Sequence, residues 1–362
     1  MRNAKPQRQI KLTPGPTETP KWLRVLVAAN SPHHHTKEYQ KLLEETREKL
    51  RELFGAPNSE VLLYAGSGTY MMEIVVANFV SPGDTVFLIN TGHFAERWLD
   101  ITKIFRGSVY ECKSEWGRTY SADTVTKNIA DRRPKIVLMQ ATDTSTGVKN
   151  NTNLKKILIE YSPLTLLAVD AVLEAAVSPI KMDREGIDIL IGASQKAFML
   201  PAGLGFIIFN QRAAKVLHRV PPRPMYLFDL KAELEAQRVH RVRFTPPAWL
   251  MVGLHAVLEK ILTEENTWYQ DFESRSKFMR ERLTQFGFSL ATKECPSNGL
   301  SVLKVPEGQS ANTLMDRLGE KGFVIAHGID DATDSIIRIA HFQGIGNHHI
   351  ERFYQTMETV LS

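Results

Sequence analysis

Seven short runs rich in Val, Ile and Leu recur through the first part of the chain, at 61–64, 86–90, 109–112, 136–140, 166–170, 189–193 and 206–209. Each has the length of a strand, and most are apolar on both faces, as strands buried between two layers are. Between several of them the apolar period lengthens to that of a helix, at 71–80, 94–105, 123–130 and 154–160. This alternation predicts a mainly parallel sheet covered on both faces, with functional groups gathered at the carboxyl ends of its strands. Ahead of it, Tyr39, Leu42, Leu43, Leu50, Leu53 and Phe54 fall at helical spacing among Glu, Lys and Arg, and Gly55 closes the segment. Residues 38–54 therefore read as an amphipathic surface helix.

After Asn210 the pattern changes. A Pro-rich stretch at 221–224 leads through a charged segment to Thr245-Pro246-Pro247, and a long helical period then covers 249–261. The remainder reads as helix 272–286, strand 300–305, helix 313–321, strands 323–326 and 336–340, and a final helix from His348. We expect an N-terminal arm at 1–20, a large α/β domain at 21–248 with a seven-stranded sheet, and a smaller C-terminal α+β domain at 249–362. A length of 362 residues suits this division, since ordinary domains run to about 100–200.

Hydrophobic residues make up 43% and charged residues 23% of the chain, which excludes a disordered or disulfide-stapled protein. No apolar run approaches the roughly 20 residues of a membrane span. With 45 Lys and Arg against 40 Asp and Glu, the net charge of +5 is spread without a basic block. That disfavours nucleic acid as a partner while helping small anions approach. Cys112 and Cys295 form no framework and no metal spacing, so we expect no metal and a reducing, cytoplasmic location. The base-rich, acid-free segment at 1–12 also fits a mitochondrial presequence, but it lacks Ser and a clear amphipathic period. The runs His33–His35 and His348-His349 read as solvated histidines, because adjacent residues rarely enter one coordination sphere.

Three features carry chemistry. Gly66-Ser67-Gly68-Thr69 follows the first strand and opens a helix whose free N–H groups favour a phosphate. A Walker loop would need Gly-Lys-Ser/Thr, and a dinucleotide fingerprint a third Gly where Met71 stands; the bland alternative is a Gly-rich turn. Asp170 ends an apolar strand, where its charge requires a cation or several donors. Lys196 follows the next strand within apolar surroundings, so desolvation lowers its proton affinity and makes it a candidate Schiff-base amine. A capping Asp and a snorkelling Lys are the alternatives when each is taken singly. Together, a phosphate cradle, a strand-end carboxylate and a desolvated lysine are what pyridoxal 5′-phosphate requires.

In these residues the chain resembles the class V aminotransferase family of fold type I pyridoxal phosphate enzymes, and within it the alanine:glyoxylate, serine:glyoxylate and 2-aminoethylphosphonate:pyruvate aminotransferases. The likeness runs from Thr13-Pro-Gly-Pro-Thr17 through Ala65-Gly-Ser-Gly-Thr69, Pro82-Gly-Asp84, Thr144-Ser-Thr-Gly147, Val169-Asp-Ala171, Gly186-Ile-Asp-Ile189 and Ser194-Gln-Lys-Ala197 to Pro201-Ala-Gly203. It implies that Lys196 holds the cofactor aldehyde as an imine, that Asp170 pairs with the pyridine nitrogen, and that Gln195 with Ser67, Gly68 and Thr69 surrounds the phosphate. It also implies that Phe94 stacks on the ring, that Thr144 lies beside the cofactor and that Arg338 grips the substrate carboxylate. Thr245 matches a residue reaching the neighbouring subunit's phosphate, which implies a homodimer with shared active sites.

Four places depart from the family pattern. Ala141-Thr-Asp143 stands where His and Glu usually precede Thr-Ser-Thr-Gly, and Leu173-Glu-Ala-Ala176 replaces Ser-Ser-Leu-Gly; the early loop has His34-His35 for His-Arg, and Val242 replaces a phosphate-contacting Tyr of one branch. The expected activity is ping-pong amino transfer from a small donor such as alanine or serine to glyoxylate or pyruvate. A 2-aminoethylphosphonate:pyruvate enzyme, a lyase on the same fold and a non-catalytic scaffold are the alternatives. Cys295, 43 residues before Arg338, is badly placed for a desulfurase nucleophile.

Overall fold

The computed structural model describes residues 9–29, 31–329 and 334–361. Most of the segment read above as a possible presequence, residues 1–8, lies outside them. All seven expected strands form one sheet, in the order Glu60–Gly66, Gly203–Phe209, Ile189–Ala193, Leu166–Asp170, Ile136–Gln140, Thr85–Asn90 and Ser108–Lys113. Alternate residues of each strand face opposite layers. Val61, Leu63, Val137, Met139, Leu167, Val169 and Leu190 belong to one buried cluster, and Leu62, Tyr64, Ile136, Leu138, Leu166, Ala168 and Ile189 to the other. Helices Lys37–Leu53, Ala122–Arg132, Lys155–Tyr161 and Ala248–Thr263 supply buried apolar residues to the first layer. Helices Gly68–Phe79, His93–Ile104, Gln211–Arg219 and Leu230–Arg238 supply them to the second.

Six strands run in one direction; Gly203–Phe209 is antiparallel to both its neighbours. The cause is chain length. Only residues 194–202 separate it from Ile189–Ala193, too few for the helical crossover that a parallel return needs. That short return is the segment carrying Lys196.

The C-terminal region forms an antiparallel four-stranded sheet in the order Ala326–His327, Ile336–Ala340, Leu300–Lys304 and Ser289–Leu290. The single strand expected at 323–326 is in fact two. Phe323–Val324 pairs in parallel with Ile10–Lys11, while Ala326–His327 joins the four-stranded sheet. Ile10 and Leu12 thereby enter the core that contains Phe323, Phe353 and Tyr354, which anchors the N-terminal segment just before it reaches Lys196. Among the described residues no helix is long and apolar enough to cross a membrane.

Candidate active site

Five strand ends, at Gly66, Asn90, Gln140, Asp170 and Ala193, bring their following loops to one edge of the sheet. There a cavity of about 220 Å³ is lined by Ser67, Gly68, Thr69, Met72, Phe94, Arg97, Thr142, Thr144, Asp170, Val172, Leu173, Gln195 and Lys196. Eight of the expected site residues are therefore gathered in one place. Sequence reasoning missed Arg97, Met72, Thr142 and the Val172-Leu173 wall. A larger surface depression of about 490 Å³ lies elsewhere, around Lys155, Pro163 and Arg212. It assembles no comparable set, since Arg212 there is paired with Asp188.

Ser67 is the N-cap of helix Gly68–Phe79, yet its hydroxyl makes no capping bond. The first-turn N–H groups and this hydroxyl are thus available to an anion. Asp170 sits at the other end. Its Oδ1 accepts from the Val172 N–H at 2.8 Å. Burial raises the carboxyl to about 6, against the pull of that bond and of Lys196.

Lys196 lies beyond the strand adjacent to that of Asp170, Asp170 being in register with Ile191. Its loop is closed by Ser194 Oγ donating to the Pro201 carbonyl at 2.6 Å and by Leu200 N–H donating to Ser194 O at 3.1 Å. Met199 is held at φ 57°, a left-handed conformation costly for a residue with a Cβ. The amine donates to the Pro14 carbonyl at 2.6 Å. Gly15 permits this approach, because a Cβ there would lie 2.7 Å from Lys196 Cδ. Burial lowers the ammonium to about 8, with Arg338 and Arg97 adding repulsion and Asp170 opposing them.

Both departures beside the cavity have a structural reason. Helix His93–Ile104 has Gly92 as its N-cap, which offers no side chain. Asp143 and Ser145 supply the cap from another loop: Phe94 N–H donates to Asp143 Oδ2 and His93 N–H to Ser145 Oγ, each at 3.0 Å. A Cβ at Gly92 would sit 2.4 Å from Asp143 Oδ1, so glycine is required by contact. Phe94, which could have been a core residue, is instead half-buried on the cavity wall. Burial raises the Asp143 carboxyl against the bonds from Ser145, Phe94 and Ala95.

Glu174, the second departure, is buried and accepts from Thr142 Oγ1 at 2.6 Å, Ser178 Oγ at 2.6 Å and Ser297 Oγ at 2.8 Å. It ties a cavity-lining residue to the segment entering the C-terminal sheet. Glu174→Ala leaves three hydroxyl protons without their acceptor and Lys149 without its carboxylate, and is expected to cost about 2–3 kcal/mol in urea denaturation, Glu174→Gln clearly less. Equal midpoints for wild type and Glu174→Ala would contradict this.

Two expected residues stand apart from the cavity lining. Arg338 Nε donates to His327 O at 2.8 Å and Nη1 to Thr144 O at 3.2 Å, which places it beside the Thr144 loop. Burial lowers its proton affinity to about 10, with Asp143 opposing. Thr245 is exposed and does not line the cavity of its own chain. Arg243, next to the Val242 departure, lies over the Tyr226 ring and donates to the Tyr226 carbonyl.

A family model described as aminotransferase class-V matches residues 24–332. The chain is 28% identical to the soluble hydrogenase 42 kDa subunit of Anabaena cylindrica, over 97% of this chain and 92% of that protein. It is 29% identical to the L-aspartate–glyoxylate aminotransferase of Paracoccus denitrificans, over 91% of this chain and 85% of the relative. Its fold matches the crystal structure of ureidoglycine–glyoxylate aminotransferase from Bacillus subtilis with a TM-score of 0.92 at 24% identity, covering 99% of this chain and 94% of the other.

Proposed function

The chain belongs to the class V aminotransferase family, and on that premise we propose that it moves an amino group from a small amino acid, alanine, serine or a close analogue, to glyoxylate or pyruvate. The cofactor is pyridoxal 5′-phosphate and the cycle is ping-pong. One observation carries the reading. Asp170 and Lys196 line one cavity from neighbouring strand ends, each with its proton affinity displaced toward neutrality. Glyoxylate as acceptor is supported by the name of the Paracoccus relative.

The residues present fit the cofactor from end to end. Ser67, Gly68 and Thr69 offer donors to an anion, and Gln195, whose side-chain amide donates through its nitrogen, lines the same cavity. Phe94 offers a ring face and Asp170 a carboxylate. When bound, the cofactor supplies an aldehyde that carries the amino group and a ring that accepts electrons. Asp170 would hold a proton on the ring nitrogen of the bound cofactor. Lys196 Nζ would anchor the aldehyde and, when free, would serve as the base that takes the proton from the donor α-carbon. An amine titrating near 8 is partly neutral at physiological pH, and the ammonium it becomes is a competent acid. Arg338 orients the substrate carboxylate through its planar fork.

The proposal includes a cytoplasmic homodimer. The two free cysteines support a reducing setting. Thr245 is exposed two residues from Arg243, which lies over the exposed Tyr226 ring, and Tyr70, exposed as well, directly follows Thr69. An apolar, aromatic surface next to the phosphate end supports a second copy covering it.

The test is a half-reaction followed by absorbance. Loaded enzyme receives alanine, serine, aspartate or 2-aminoethylphosphonate without acceptor. A true donor converts the cofactor to its amine form and releases one equivalent of its oxo product, an oxo acid from an amino acid or an aldehyde from 2-aminoethylphosphonate, and glyoxylate or pyruvate restores the starting spectrum. Product formation by bond cleavage with no amine form would refute the reading in favour of a lyase.

A further inference from the structure

Arg97 is the charged group of the cavity that no motif accounts for. It follows Phe94 by three residues on helix His93–Ile104, so both side chains leave the same face. The guanidinium lies over the Phe94 ring, 4.8 Å from its centroid, and donates to Thr69 Oγ1 at 2.8 Å. Among the described residues no carboxylate lies within ion-pair distance of it; Asp170 shares its cavity and feels its charge without contact. A guanidinium has five N–H donors and stays charged at any physiological pH, so most of its capacity is unused at a cavity wall.

The bond to Thr69 fixes more than Arg97. A guanidinium cannot accept, so the Thr69 oxygen is the acceptor and its own proton is left for another partner. Thr69 belongs to the first turn of helix Gly68–Phe79, next to the Ser67 hydroxyl that caps nothing. Two hydroxyl protons, the first-turn N–H groups and one guanidinium thus form a set complete except for an oxygen-rich acceptor of more than one negative charge. Arg338 lies apart from this set, bonded to Thr144 and His327.

We infer that Arg97 is the charged member of a phosphate-binding set with Ser67, Gly68 and Thr69, and that it makes the site select a phosphorylated pyridoxal over the unphosphorylated one. This rests on the pyridoxal phosphate reading above. Arg97 has a second consequence, since the stack on Phe94 couples the position of the aromatic wall to the occupancy of the phosphate end.

The experiment measures dissociation constants of the cofactor-free protein for pyridoxal 5′-phosphate and for pyridoxal, by absorbance, in wild type, Arg97→Met and Arg97→Lys. Both aldehydes can react with Lys196, so their ratio isolates the phosphate. Arg97→Met is expected to weaken pyridoxal phosphate about 10- to 100-fold, the worth of one charge-assisted hydrogen bond set, and to leave pyridoxal within about twofold. Arg97→Lys, which keeps the charge and loses the fork, falls between. Inorganic phosphate raises the melting temperature of the cofactor-free wild type and not of Arg97→Met. Equal weakening of both aldehydes marks Arg97 as a support for Phe94 only and overturns the inference, as does unchanged binding of both. Wild type that binds neither aldehyde overturns the cofactor reading itself.

Discussion

Lys196→Ala is expected to lower turnover by roughly a hundred- to ten-thousand-fold, the range of a lost, positioned proton-transfer group. The variant should nonetheless bind the cofactor, because the proposed phosphate donors at Ser67–Thr69, the Phe94 face and Asp170 are untouched. Three readouts separate this from simple unfolding. Borohydride treatment followed by denaturation leaves cofactor attached to wild type and none to the variant. Small primary amines restore part of the proton transfer, since the cavity left by the side chain admits them. The melting temperature of the cofactor-free protein holds or rises, because the variant removes a buried amine held well below its ordinary proton affinity. A variant that retains borohydride-fixed cofactor would place the covalent attachment elsewhere and end the proposed mechanism.

How much of this was readable from residues alone follows from what each signal depends on. The seven strands were legible because burial on both faces demands unbroken runs of Val, Ile and Leu, a purely local requirement. Lys196 and Asp170 were legible because an ionisable group at the end of such a run is anomalous wherever it occurs. Helices Gln211–Arg219 and Leu230–Arg238 were not expected, since each buries only a few small or scattered apolar side chains. Their caps were in plain view: Asn210 accepts from Ala213 N–H and Asp229 from Ala232 N–H. Helix Lys21–Ala28 carries no side-chain cap after Pro20 and gave no such signal. Asp143 and Glu174 were visible only as departures, because their partners, at Phe94 and Ser297, are distant in sequence and meet through the fold. Arg97 had one usable trace, its spacing of three from Phe94 on a helix face.

Asp170→Asn is expected to act in opposite directions on rate and on stability. Turnover should fall by roughly a hundred- to a thousand-fold, as when a preorganised electrostatic partner of the reacting system is removed. The cofactor-free variant should be more stable than wild type near pH 7, by about 1–3 kcal/mol. The sign follows from linkage. Burial raises the folded-state carboxyl from its ordinary 3.8 to about 6, so folding is penalised wherever the group must be ionised. That penalty is absent below 3.8, grows between 3.8 and 6, and is complete above 6; the advantage of Asn should therefore vanish as the pH is lowered through this window. On the proposed pairing of Asp170 with a protonated ring nitrogen, loading the protein should reverse the order, with wild type gaining more in melting temperature than Asp170→Asn. The carboxylate is thus held in the empty protein at a cost that the Val172 N–H, Lys196 and Arg97 offset only in part. Melting curves of wild type and Asp170→Asn that coincide at pH 4 and pH 7, with and without the cofactor, would remove that strain from the account.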